Sequence, residues 1–133
     1  MKRILIFAAV LLISCGSGQG AYIKAENALD AGREFINSCA TGDFSKAAFF
    51  MVPDEKNRAK LKENERIYRE KDKEGRQQAR SASILIGEVK EINDSTTLIY
   101  YQNSFDKQPR VLEVLKQNGS WLVNFANTFN PVP

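Results

Sequence analysis

Histidine is missing from this chain of 133 residues, cysteine occurs twice and tryptophan once. Without imidazole there is no side chain that titrates near neutrality of its own accord, and no His-dependent catalytic triad. The commonest metal ligand is gone as well, so no zinc or copper site is expected and no metal is assigned. A phosphate-cradling glycine loop is also lacking, because the glycines between Gly16 and Gly20 follow no strand. No cofactor is therefore expected. The longest apolar run, Ile4 to Ile13, is too short for a bilayer-spanning helix, which takes about 20 residues. There are no internal repeats.

What the N-terminus does contain is an export pattern. Lys2 and Arg3 are followed by that apolar run and then by small residues around Ser14-Cys15-Gly16. Positive start, short apolar middle and small-residue exit make a secretory signal. Leu12-Ile13-Ser14-Cys15 resembles the bacterial lipobox, in which a cysteine thiol takes a diacylglycerol and the chain is cut just before it. Residues 1–14 are thus expected to be a signal peptide and residues 15–22 a tether anchored by lipid on Cys15. Residues 23–133 then form one domain. Acyl chains contribute about 0.8 kcal/mol per buried CH₂, so several give a stable membrane anchor. The expected location is the cell envelope, outside the cytoplasm, on its periplasmic or surface side.

Loss of the leader changes the charge. The whole chain has 19 Lys and Arg against 16 Asp and Glu; without Lys2 and Arg3, 17 face 16, a net of +1. Such a domain has no long-range field for nucleic acid, and none is expected as a partner. With Cys15 lipidated, Cys39 is the one thiol left. No internal disulfide can form, and Cys39 is expected to be a small buried residue.

Beyond the tether the period becomes helical. Ala25, Ala28, Leu29, Gly32, Phe35, Ile36 and Cys39 recur at three-and-four spacing, and Gly42 is the stop. Asp43 caps a shorter helix with Phe44, Ala47, Ala48 and Met51 on one face, ended by Val52-Pro53. Asp54 caps a charged third helix over roughly residues 55–73, with a thin stripe of Ala59, Leu61, Ile67 and Tyr68, and Gly75 is expected to close the helical half. Four strands follow: residues 82–91, 96–105, 111–116 and 121–129, separated by Asn93-Asp94-Ser95, Asp106-Lys107-Gln108-Pro109 and Asn118-Gly119. In the last of them Trp121, Val123, Phe125 and Phe129 are expected to point one way. Helices followed by hairpin-linked strands cannot build parallel βαβ units. The expected fold is α+β, with N-terminal helices packed on a curved four-stranded antiparallel sheet.

That order resembles the nuclear transport factor 2-like (cystatin-like) superfamily, and within it the lipoprotein group called domain of unknown function 4878. The resemblance is carried by Ala28 to Ala47, running into Thr41-Gly42-Asp43-Phe44, and by the hairpin around Asn118-Gly119-Ser120-Trp121. It implies a cone-like fold that often encloses a pocket. Its lining here would be Phe35, Ile36 and Cys39 with Ile99, Tyr101, Asn103, Trp121, Val123 and Phe125. Two readings stay open. Either the pocket holds a small apolar ligand, or the same side chains fill it and the domain works through its surface, as a protein-binding element or a homodimer. The superfamily also contains ketosteroid-isomerase-like enzymes, whose carboxylates and tyrosine work in an apolar pocket. Tyr100, Tyr101, Glu88, Glu113 and Asp106 are of the right types, but no pair matches a catalytic motif. The chain is expected to be no enzyme.

Overall fold

The structure is a computed structural model that describes residues 22–129. The expected leader, Cys15, the expected tether up to Ala21 and the side chain of Phe129 lie outside what is described.

Helix α1 (Ala28–Thr41) starts where Asn27, in extended conformation, accepts the Asp30 N–H at 2.8 Å, and Asp30 in turn accepts the Glu26 N–H at 3.0 Å. This reciprocal cap fixes the start three residues later than the apolar period alone indicates. Gly42 ends the helix in the left-handed conformation, φ +79°, with its N–H on the Cys39 carbonyl. Helices α2 (Phe44–Phe49) and α3 (Glu55–Glu70) are capped by Asp43 and Asp54, as the sequence indicates.

The end of the helical half needs correction. Gly75 does not close it: it lies inside a fourth helix, α4 (Lys73–Ser81). The chain breaks earlier, at Lys71, and Asp72 starts a new helix by accepting the Gly75 N–H at 2.7 Å. A glycine in a first turn costs about 1 kcal/mol in propensity, which the cap offsets.

Strands β1 (Ile84–Asn93), β2 (Thr96–Asn103), β3 (Arg110–Gln117) and β4 (Ser120–Phe129) form one antiparallel sheet in chain order. The β3–β4 turn uses Asn118 and Gly119, both at positive φ, as a two-residue hairpin requires. The sheet does not close on itself, and the helices pack with it in an α+β arrangement.

The register explains the core. Ile99 lies opposite Leu112, and Val114 opposite Val123, so one sheet face presents a block of branched side chains. Helix α1 lays Ala31 and Phe35 on that block, and Ala47, Phe50, Met51 and Leu61 close its sides. Burying each large side chain there stabilises the fold by roughly 1.5–3 kcal/mol. Close approach depends on Gly32, where a Cβ would come within 2.6 Å of Ile99 Cδ1. The edge of β4 is tied to the chain after α2: the Val52 N–H reaches the Val123 carbonyl at 2.9 Å, and the Val123 N–H reaches the Phe50 carbonyl at 2.7 Å.

Candidate functional site

A half-open cleft of about 380 Å³ lies at the end of the sheet where β2 leaves and β3 enters. Helices α1, α3 and α4 form one wall, through Ile36, Cys39, Ala40, Ile67, Tyr68 and Ala79. Ile84 of β1, Tyr101 and Asn103 of β2, Phe105 and Asp106 of the following turn, and Arg110 of β3 form the other. The turn is built by Asn103, whose side-chain oxygen accepts the N–H groups of Phe105 and Asp106 at 3.0 and 2.8 Å. It aims Asp106 back at Arg110 in a two-pronged pair, with N···O distances of 2.5 and 3.1 Å. Arg110 also donates to the Gln108 carbonyl at 3.2 Å.

Electrostatics divide the cleft. The Arg110 hydrogen bonds hold the Asp106 carboxyl down at about 2, with help from the Gln108 N–H. Burial pushes the Tyr101 phenol up to about 12 against the pull of Arg110, and pushes the Cys39 thiol up to about 12 against a hydrogen bond with Asn64. At neutral pH the floor is therefore a neutral thiol and a neutral phenol, and the mouth carries an ion pair. The Tyr68 hydroxyl accepts from Arg80 Nε at 3.2 Å. A thiol held protonated in this way is a poor nucleophile and a poor metal ligand. Among the described residues no group of three His, Cys, Asp or Glu side chains could hold a metal ion.

Only part of the expected lining comes together here. Ile36, Cys39, Tyr101 and Asn103 do line the cleft. Phe35 and Ile99 do not: both are buried in the core beneath it. Trp121 packs on that core near the other end of β3, with the Lys116 ammonium 5.5 Å from its ring. Phe125 stands edge-on to Phe35, centroids 5.0 Å apart, with the Lys60 ammonium 4.8 Å from its ring. The space expected between Phe35, Tyr101 and Trp121 is filled because Gly32 lets α1 settle onto Ile99 and Leu112. The cleft lies instead at the end where α4 packs against α1.

Of the carboxylates considered, Glu88 and Glu113 line no part of the cleft. Glu88 is exposed, and Glu113 accepts from Asn124 and Asn127 at 2.6 and 2.9 Å. Arg110 and the α4 side chains were not singled out by sequence. The signal for Arg110 was present, as a charge four residues from Asp106 across a proline-containing turn. Nothing marked α4, since its cleft face is Gly75, Gln78 and Ala79, followed by Ala82 just past its end. No helix among the described residues is long and apolar enough to cross a membrane. Compared with known proteins, the chain matches no protein-family model, no curated protein and no solved structure.

Proposed function

We propose that this chain is a lipid-anchored protein of the cell envelope whose domain holds a small amphiphilic ligand without transforming it. The observation that carries the reading is the cleft itself. Its volume of about 380 Å³ falls in the range of small-molecule sites, and its apolar side chains share the walls with polar ones, Asn64, Tyr68, Lys71 and Gln78 on the helix side and Tyr101, Asn103, Asp106 and Arg110 on the sheet side. An apolar body would lie along Ile36, Ile67, Ala79 and Phe105, and a hydrogen-bonding end would meet the phenol and guanidinium. Anchorage is supported by the leader and the lipobox-like residues before Cys15. A relationship to the nuclear transport factor 2-like superfamily belongs to the same reading, supported by helices followed by a four-stranded meander.

Binding is favoured over catalysis on chemical grounds. A carboxylate acting as base near neutrality needs its affinity for protons raised by burial. Asp106 goes the other way, because Arg110 already occupies it.

Native mass spectrometry of the full chain, extracted from membranes in mild detergent, tests both halves. The expected result is a protein that begins at Cys15, carries diacylglycerol covalently, and brings a small-molecule adduct released by denaturation. Ala79→Trp, which fills the cleft from α4, should lose the adduct and keep the covalent lipid. Wild-type protein without an adduct, or an adduct indifferent to Ala79→Trp, removes the ligand; an intact leader removes the anchor.

A further inference from the structure

Strand β1 is the outermost strand of the sheet, and among the described residues only β2 pairs with it. Every residue from Gly87 to Asn93 is exposed, including Val89 at 42% and Ile92 at 50%. The opposite edge is different, since Val52 and Phe50 bond to β4 there. One side of the sheet thus offers a row of free backbone groups, the template on which another strand adds.

We propose that this edge pairs with the same edge of a second copy, antiparallel and about a twofold axis through Val89. The choice of occupant comes from charge. Between the irregularities at Ile86/Glu88 and Glu91/Asn93, the regular stretch is Glu88-Val89-Lys90-Glu91. Two identical strands related by a twofold axis perpendicular to their sheet must have one residue opposite itself, because any other offset sets facing side chains on opposite sheet faces. Centring on Glu88 or on Glu91 puts two carboxylates together, and centring on Lys90 puts two ammonium groups together. Centring on Val89 alone gives an apolar pair at the axis with Glu88 facing Lys90 on both sides. Like charges directly opposite destabilise a sheet and opposite charges stabilise it. The charges that would repel most incoming strands are thus complementary to their own image. The two helix layers then lie on the same side of one continuous eight-stranded sheet, and the cleft, whose β1 contribution is Ile84, stays clear of the axis.

Sedimentation equilibrium of the full chain in density-matched detergent tests this with charge exchanges at the exposed positions 88 and 90. Wild-type protein is expected to be dimeric. Lys90→Glu and Glu88→Lys each convert both attractive pairs into repulsive ones and should weaken dimerisation by about tenfold or more. The double exchange restores complementarity and should return the dissociation constant to within about threefold of wild type. Circular dichroism checks that all four proteins are folded. A monomeric wild-type protein overturns the proposal, showing that these charges only keep the edge apart. So does a dimer indifferent to the single exchanges, which would use another surface, and so does a double exchange that fails to recover.

Discussion

Asn57 is fully buried in a helix that otherwise reads as solvated. Its amide donates to Asp54 Oδ1 at 2.8 Å and to Asn124 Oδ1 at 3.1 Å, and its oxygen accepts the Ala126 N–H at 2.9 Å. One side chain thereby ties the start of α3 to the irregular half of β4, where the register with β3 shifts between Val111 and Glu113. Removing it orphans the Ala126 N–H and the Asn124 oxygen, and each buried group left unmade costs roughly 1–3 kcal/mol. Asn57→Ala should therefore lower the unfolding free energy by about 2–4 kcal/mol in urea titration. A loss near zero would mean water replaces the amide and the hub is only apparent. Sequence could not reveal this residue. Its need for burial is created by a side-chain oxygen 67 positions away and a backbone N–H 69 positions away, and an asparagine among Lys, Glu and Arg carries no period. The same holds for Tyr68, placed on the apolar stripe by spacing, whose hydroxyl partner Arg80 comes from a helix that spacing did not show.

At the scale of elements, local chemistry was far more readable. All four helices begin with Asn or Asp accepting the N–H three residues on: Asn27 from Asp30, Asp43 from Lys46, Asp54 from Asn57 and Asp72 from Gly75. Asp43 and Asp54 could be recognised because an apolar period follows them. Asp72 could not, since α4 buries no residue fully and has no apolar face to announce it. The strands were legible from β-branched runs and turn dipeptides, with ends within a few residues. Two of those signals share a backbone requirement yet differ in surroundings. Gly42 and Gly119 sit at φ +79° and +77°, but a Cβ on Gly42 would lie 2.6 Å from Tyr68 Cε1, while one on Gly119 meets nothing within 4 Å. Gly119→Ala should cost only the left-handed strain, about 1–2 kcal/mol. Gly42→Ala adds overpacking against a buried ring and should cost roughly 1–3 kcal/mol more. Denaturation midpoints of the two variants decide it, and equal losses would show that the Tyr68 ring swings away freely.

For the whole molecule, the placement of the cleft follows from a packing contest that sequence does not record. Phe35, Ile99 and Leu112 have enough bulk to fill the centre once Gly32 brings α1 close, so openings lie toward the ends, the cleft beside the small residues of α4 and a smaller one beside Trp121. Two half-buried ionisable groups, Cys39 and Tyr101, line the cleft, and they give the fold an alkaline weakness. Cys39 is raised from 9.0 to about 12 and Tyr101 from 10.0 to about 12, both chiefly by burial. Each is neutral when protonated. Below its unfolded value, folded and unfolded chains hold the same proton and stability is indifferent to it. Above that value the unfolded chain releases a proton that the folded chain keeps, so stability falls as pH rises from about 9 toward about 12. Each group steepens that fall by at most about 1.4 kcal/mol per pH unit. Urea titrations across this range should show the decline in the wild-type protein, a shallower one in Tyr101→Phe, and a shallower one still when Cys39→Ala is added. An unchanged slope in the double variant would mean that water already reaches both groups through the cleft. In that event the cleft would be a hydrated groove, with little apolar wall to offer a ligand.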